Sequence, residues 1–338
     1  MRAQLLCLLF FGATVGCGRS SIYDSPVVGP EAPDAATAPD LATPDHCDAD
    51  ILCWDPPVLI GARKLWASSG RDVWAIGDAG IAHWDGVAWS KITAPTMEPL
   101  GDIWGSSATD IWIVGGNPVV GDQVILHFDG SHWTTLPMAP IGGPLVGVSG
   151  TSQHDVWAVG SSSTLLHFDG NTWARAMPYR IKYHEILAVW AATPTTAWAN
   201  YAGDGVLQWN GLTWNDQVSA APAGTFVNVR SIWGAGVDDV WAVGGHEVWR
   251  RQGGAWNRVA FPFPADPSVR IAQLRGTSAE DVWLVGAGDH GGFTWHFDGA
   301  QFRQVQIGTP GELRAVFPIS AVDVWIAGSD GLVHGHRP

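Results

Sequence analysis

The sequence predicts an all-β protein, a seven-bladed β-propeller built from four-stranded antiparallel blades. A segment of the type Asp-Val-Trp-Ala-Val-Gly occurs seven times, and its tryptophans are separated by 38 to 45 residues. That period is typical of one propeller blade. A second segment of the type His-Phe-Asp-Gly-Asn-Thr-Trp accompanies most copies, and its Asp-Gly pair marks a tight turn. No helical apolar spacing lasts long enough to compete with this pattern.

Each repeat divides into four strands in the same order. The second repeat contains a clear first strand at Asp102–Ser107, which ends in small residues. The third repeat predicts a second strand over Asp155–Gly160, a third within Thr164–Gly170 and a fourth within Thr172–Ala176. Aliphatic and aromatic runs bounded by Gly, Asp, Asn and Ser are typical of strands joined by hairpins.

One tryptophan marks the second strand of every repeat, and another aromatic residue marks the fourth strand of six repeats. A large flat side chain suits the wedge between two twisted sheets, so we expect both sets to pack between neighbouring blades. The second-strand residues are Trp74, Trp112, Trp157, Trp198, Trp241, Trp283 and Trp325. The fourth-strand residues are Trp89, Trp133, Trp173, Trp214, Trp256 and Phe302.

The last repeat ends before its own fourth strand. It stops at Gly331–Pro338, whereas Trp54 precedes the first repeat at the spacing of a fourth-strand tryptophan. The sequence therefore predicts that the N-terminal strand around Trp54 completes the last blade. This arrangement leaves no open sheet edge between the first and last blades.

The first residues are expected to direct export. Residues 1–16 combine a positive start with a short apolar segment, which is typical of a signal peptide. Residues 17–46 are rich in Pro, Ala and Asp and are predicted to form a disordered tether, and residues 47–338 the propeller. The segment Thr14–Cys17 resembles a bacterial lipoprotein signal, which implies acylation of Cys17 and anchoring at the outer membrane or cell surface. Ordinary secretion is the alternative.

Cysteine content and charge narrow the function classes. Cys47 and Cys53 are predicted to form a disulfide, because exported proteins meet oxidising conditions. Two thiolates fall short of the four ligands of a structural zinc site, so no metal is expected, and the sequence indicates no cofactor. The net charge of −14 argues against nucleic acid as a partner. We expect a monomer that meets the membrane only through its lipid.

The repeat unit is similar to those of bacterial secreted and lipoprotein β-propellers, and the similarity extends from Trp54 onward. Its turn also resembles the Asp-box of sialidase-type (BNR) propellers and of photosystem II assembly factor propellers. The Asp-box spacing differs, because His167 precedes Asp169 by two residues while Gly170 follows by one and Trp173 by four. The resemblance implies a propeller and gives no reason to expect sialidase activity.

Two polar residues recur with the repeat. Histidine occupies one third-strand position in five repeats, and an aspartate opens most second strands. Equivalent residues of different blades point in different directions, so we expect hydrogen-bonded structural histidines rather than a metal site. The aspartate is expected to accept backbone N–H groups in its turn. The histidines are His83, His127, His167, His296 and His334, with Gln208 and Arg250 in two other repeats.

Departures from the repeat mark the candidate ligand site. Arg63, Arg230 and Arg314 occupy equivalent places at the start of first strands, which line the channel of a propeller. Guanidinium groups there are suited to a carboxylate or another planar anion. The alternative is that they pair with nearby acids such as Glu185 and Glu312 and line a wet channel.

Three tyrosines extend this candidate site. Tyr179 and Tyr183 lie in a loop rich in polar residues, and Tyr201 ends a second strand that should reach the same face. Exposed tyrosines among adaptable polar residues are typical of recognition surfaces, although variable loops often have no such role.

The sequence predicts a binding scaffold rather than an enzyme. No phosphate loop, Gly-x-Ser-x-Gly elbow or His-Glu-x-x-His motif occurs. The favoured function is a cell-envelope lipoprotein that binds a glycan or protein on one loop-rich face. The alternatives are a glycoside hydrolase or lyase acting on an acidic sugar, and a purely structural envelope component.

Overall fold

The molecule is a ring of seven antiparallel sheets, one for each sequence repeat. The structure, a computed structural model, describes residues 46–47, 53–54, 61–78, 80–137, 142–176, 184–202, 205–217, 229–261, 268–307 and 311–336. All regular structure in these ranges is β-strand. The predicted seven-bladed β-propeller is confirmed.

The innermost strand of each blade contacts the innermost strands of both neighbouring blades. Because the last of them also contacts the first, the blades close around a central tunnel. These inner strands are β3 (Ala62–Ser69), β7 (Leu100–Ser107), β11 (Leu145–Ser152), β15 (Ile186–Thr193), β19 (Val229–Gly236), β23 (Arg270–Ser278) and β27 (Leu313–Ser320).

The second and third strands carry most of the core. Every position of Asp155–Gly160 is buried, because a middle strand is covered by a blade on each side. The second strands are β4 (Asp72–Gly77), β8 (Asp110–Gly115), β12 (Asp155–Gly160), β16 (Thr196–Tyr201), β20 (Asp239–Gly244), β24 (Asp281–Gly288) and β28 (Asp323–Gly328). The third strands are β5 (Gly80–Trp84), β9 (Val124–Phe128), β13 (Thr164–Phe168), β17 (Gly205–Trp209), β21 (Glu247–Gln252), β25 (Gly291–Phe297) and β29 (Gly331–His336).

The fourth strands are short and form the outer edge of each blade. Six of them follow the tight turn in sequence: β6 (Trp89–Ile92), β10 (Trp133–Thr135), β14 (Trp173–Arg175), β18 (Trp214–Asp216), β22 (Ala255–Arg258) and β26 (Phe302–Val305). In the turn of blade 3, Gly170 adopts a φ of 94°, a conformation that favours glycine. The Asp169 Oδ1 atom accepts the N–H groups of Asn171 and Thr172 at 2.9 Å each. The predicted Asp-Gly reversal is confirmed.

The N-terminal segment completes the last blade. Three strands of this blade, β27 to β29, come from the end of the chain, and β2 (Cys53–Trp54) pairs with β29. Trp54 lies opposite Gly335 in the antiparallel register. The prediction that the strand around Trp54 closes the ring is confirmed by this backbone pairing.

A further short strand, β1 (His46–Cys47), pairs with β2. Its register places Cys47 opposite Cys53. The disulfide between these two cysteines stays a prediction.

The aromatic side chains pack between blades as expected. The second-strand tryptophan of one blade meets the fourth-strand aromatic ring of the next blade, with centroids 5.0 to 6.2 Å apart and planes at 71° to 90°. Such edge-to-face pairs contribute about 0.5–1.5 kcal/mol each beyond their buried area. The pairs are Trp74–Trp133, Trp112–Trp173, Trp157–Trp214, Trp198–Trp256, Trp241–Phe302 and Trp325–Trp89.

Candidate functional site

The repeated histidine and the aspartate that opens the second strand form one cluster in five blades. In blade 3, His167 Nε2 lies 2.6 Å from Asp155 Oδ1, and the imidazole ring stacks on Trp157 with centroids 4.0 Å apart. The Thr151 hydroxyl donates to the other carboxylate oxygen. The same pairing, at 2.7 to 2.9 Å, joins Asp72–His83, Asp110–His127, Asp281–His296 and Asp323–His334. The expectation of hydrogen-bonded structural histidines is confirmed.

Blade 5 keeps this cluster with an arginine in place of the histidine. Arg250 replaces the histidine and donates from Nε and Nη2 to the two oxygens of Asp239, at 2.8 and 2.6 Å. Its guanidinium carbon lies 4.5 Å from the ring centre of Trp241, where the histidine stacks in other blades. The substitution therefore preserves both the hydrogen bond and the stacking contact.

The expectation that the second-strand aspartate accepts backbone N–H groups is wrong. In blade 2, Asp110 accepts hydrogen bonds from the side chains of His127, Ser106 and Trp112. Burial alone would raise the pKa of Asp110, but these hydrogen bonds outweigh it and lower the pKa below its usual value. The aspartate that accepts backbone N–H groups is instead the one in the turn between the third and fourth strands, such as Asp169.

The three predicted ligand arginines share one structural position. Each is the extra residue of a β-bulge near the start of an inner strand, because the register skips Arg63 in β3, Arg230 in β19 and Arg314 in β27. A bulge redirects the side chain of the extra residue. We call the end of the ring at which the inner strands begin the front face. The arginines lie at this face in blades 1, 5 and 7.

Their protein partners are few. The Arg63 Nη2 atom lies 2.7 Å from Asp78 Oδ1, with the two side chains 54% and 61% exposed. The Arg314 Nη2 atom lies 3.8 Å from Glu312 Oε2. Arg230 is exposed and has no ion pair within the described ranges. Exposed ion pairs contribute only about 0–1 kcal/mol, so these guanidinium groups can exchange a protein carboxylate for one of a ligand.

The other predicted residues divide between described and undescribed parts of the chain. Tyr201 reaches the front face, where its hydroxyl donates to Asp216 Oδ2 at 2.9 Å and its ring meets His184. Glu185 accepts a hydrogen bond from Ser161. Three predicted residues lie outside the described residues: Tyr179, Tyr183 and Cys17.

A groove of about 650 Å³ lies between blades 2 and 3. Its walls include His127 of the structural cluster. They also include Trp112, Phe168 and Trp173, which form the aromatic packing between these blades. The groove is therefore a consequence of blade packing.

A group of charged residues inside the ring was not predicted from the sequence. Lys64 Nζ lies 3.6 Å from Asp102 Oδ1, and the charge of Asp102 also acts on Arg275. All three belong to inner strands. Arg275 stands where the repeat usually has tryptophan, as in the Ile-Trp-Gly segment of blade 2, so an alignment of first strands contains the signal.

An exposed apolar group lies on the front face of blade 2. Met97 is 99% exposed and Val119 is 90% exposed. Their loops are joined by a hydrogen bond from Gly116 N to Pro99 O at 2.9 Å.

In the ranges that the structure describes, no group of three or more His, Cys, Asp or Glu side chains is arranged to hold a metal ion. No helix in these ranges has the length and apolar character needed to cross a membrane.

Comparison with known proteins identifies the fold alone. No family model and no curated protein sequence matches the chain. Among solved structures, YCF48 bound to D1 peptide is 16% identical with a TM-score of 0.65, over 84% of this chain and 97% of that one. The chain is a β-propeller.

Two further propellers show the same likeness. Catalytically inactive virginiamycin B lyase from Staphylococcus aureus, with quinupristin, is 12% identical with a TM-score of 0.69, over 84% of this chain and 98% of that one. The extracellular domain of the hybrid two-component system BT4673 from B. thetaiotaomicron is 12% identical with a TM-score of 0.64. That match covers 84% of this chain and 40% of the other.

Proposed function

We propose that the protein is a lipid-anchored scaffold of the bacterial cell envelope that binds a protein or glycan ligand at the front face without transforming it. The observation that carries this proposal is the recurrence of Arg63, Arg230 and Arg314 at one bulge position in three blades. The blade fold does not need these arginines, because the same position holds Gly101 in blade 2.

The chemistry of the arginines favours a ligand that carries carboxylate groups. A guanidinium group presents parallel N–H donors that match the two oxygens of a carboxylate. Acidic peptides and uronic acid glycans both offer this group. The YCF48 structure holds a D1 peptide and the lyase structure holds quinupristin, which supports the capacity of a similar propeller to accept a ligand.

The location in the cell envelope rests on the N-terminal sequence. A lipid on Cys17 and a tether over residues 17–46 would hold the propeller close to a membrane surface. The likeness of the repeat to bacterial lipoprotein propellers supports the same location.

The test is a binding screen on glycan and peptide arrays with the purified protein, followed by affinity measurement. The variant Arg63→Gln, Arg230→Gln, Arg314→Gln is expected to bind at least tenfold more weakly, because each lost charged hydrogen bond is worth about 1.5–3 kcal/mol. A control variant at the opposite end of the ring, Arg71→Gln, Arg303→Gln, should bind within twofold of the unmodified protein.

Two results would overturn the proposal. One is equal affinity of the front-face variant and the unmodified protein. The other is chemical conversion of the bound ligand during incubation, detected by mass spectrometry, which would instead indicate a hydrolase or lyase.

A further inference from the structure

One position of the inner strand is equivalent in all seven blades. At this position each blade places one residue opposite its second-strand tryptophan in the sheet register. We call these seven residues the inner collar: Trp66, Trp104, Ser149, Trp190, Trp233, Arg275 and Phe317. The collar is therefore mainly aromatic, and Arg275 is its one charged member.

Arg275 lacks a hydrogen-bonding partner within the inner collar. Its guanidinium carbon lies 5.0 Å from the ring centre of Phe317 in the next blade. In the described part of the chain it makes no hydrogen bond and no ion pair. A guanidinium group has five N–H donors, so Arg275 retains donors for a ligand.

Among the described residues, Asp102 is the acid whose charge acts on Arg275. Arg275 belongs to blade 6 and Asp102 to blade 2, so their interaction crosses the tunnel. Asp102 is already engaged, because it accepts the N–H of Val148 at 3.1 Å and lies 3.6 Å from Lys64 Nζ. This group therefore contains two cations and one carboxylate.

This imbalance favours an added anion. Removal from water lowers the pKa of Arg275, and the charge of Asp102 opposes that effect. A bound carboxylate would supply both the missing charge and the missing hydrogen-bond acceptor.

We propose that the tunnel beside Arg275 binds a small carboxylate whose apolar or aromatic body packs against the partly exposed aromatic rings of the inner collar. The guanidinium group would hold the carboxylate with two parallel hydrogen bonds. The neighbouring rings, Trp233 and Phe317 among them, would contact the body of the ligand. This site does not depend on the proposed front-face function, because it shares none of the three front-face arginines.

The test is calorimetric titration of the purified full-length protein with benzoate, and with benzamide as the neutral control of the same shape. Benzoate is expected to bind saturably and to raise the melting temperature by about 2 °C or more at saturation. Benzamide should bind at least tenfold more weakly. Failure of benzoate to bind saturably, or equal binding of the two compounds, would overturn the proposal.

Variants locate the site. Arg275→Gln is expected to lower benzoate affinity at least tenfold, whereas Arg71→Gln, in the turn between β3 and β4, should leave it unchanged. Asp102→Asn removes the competing carboxylate and is expected to strengthen benzoate binding. This second variant tests the site if Arg275→Gln does not fold. Unchanged affinity in both Arg275→Gln and Asp102→Asn would show that benzoate binds elsewhere.

Discussion

The aspartate of the outer turn shows how one carboxylate organises a reversal of the chain. Asp298 Oδ1 accepts the N–H groups of Ala300 and Gln301 at 3.0 and 2.9 Å, and Oδ2 accepts Arg303 Nε at 2.9 Å. These hydrogen bonds, that of Gln301 first, lower the pKa of Asp298 from 3.8 to about 2. In blade 4 the neutral Asn210 binds the same two backbone groups, so the turn itself does not require charge.

Replacement of this carboxylate by an amide should remove a defined part of the pH dependence of stability. The pKa of Asp298 is lower in the folded state than its usual 3.8, so its ionisation stabilises the fold above that pH. This stabilisation is lost as the pH falls towards about 2. The difference in unfolding free energy between the unmodified protein and Asp298→Asn should therefore be constant near neutral pH and shrink below about pH 4. Urea unfolding from pH 7 to pH 2 measures it, and a difference independent of pH would contradict the assignment.

Residue roles could be predicted where the repeat itself supplies the evidence. The five histidines recur at one strand position, and their structural role followed from the geometry of a ring. The role of Asp155 could not be deduced in the same way, because an aspartate beside a turn can bind either backbone N–H groups or a side chain across the strand. The distinction depends on the third strand, which brings His167 next to it.

At four blade interfaces, a tryptophan of one inner strand packs against a glycine of the next inner strand. A Cβ atom added to Gly234 in β19 would lie 2.5 Å from Trp190 of the preceding blade and 2.8 Å from the backbone oxygen of Asp239. The same relation joins Trp104 to Gly150. Glycine is therefore a packing requirement where the preceding blade has a tryptophan, because there is no space for a methyl group there. Blades 1, 4 and 7 follow a blade without that tryptophan and have Ala67, Ala191 and Pro318 at this position.

Two glycines of one strand should respond differently to the same substitution. Gly234→Ala is expected to destabilise the fold by about 1–3 kcal/mol, because Trp190 and the backbone must shift to admit the methyl group. Gly236→Ala, in the same strand, meets no atom within 4 Å and should change stability by less than about 1 kcal/mol. Urea unfolding of the two variants measures the contrast. Similar losses in both would show that strand propensity, rather than contact with Trp190, sets the cost.

Strand positions were predicted more closely than strand irregularities. The predicted second strand Asp155–Gly160 has the bounds observed, and the predicted Asp102–Ser107 lacks only the first two residues of β7. The bulges that carry Arg63, Arg230 and Arg314 were not predicted. A single extra residue shifts the pairing without altering the composition of the strand, so sequence gives little sign of it.

Ring closure depends on a short pairing between the two ends of the chain. Deletion of residues 47–60 removes β2 and exposes the edge of β29, so we expect a large fall in melting temperature and faster proteolysis near the C-terminus. Deletion of the same number of residues from the predicted tether, 25–38, should leave the melting temperature unchanged. Equal melting of both deletions would show that the ring holds without this strand.

The architecture could be predicted as a whole because each blade repeats the same pattern, whereas the tunnel group could not. Arg275, Asp102 and Lys64 come from blades 6, 2 and 1, and only the closed ring brings them into one space. The loop containing Tyr179 and Tyr183 lies outside the described residues, so its part in the front face stays a prediction.

The closing strand also determines how the molecule would respond to mechanical force. If the N-terminus is fixed to a membrane, any drag on the propeller pulls first on the pairing of β2 with β29, which spans two residues. The hydrogen bonds of such a short pairing break one at a time when the strand is pulled from one end. The anchored end would therefore peel away under tension before any other blade is disturbed, and re-pairing with β29 would restore the ring when the load is released.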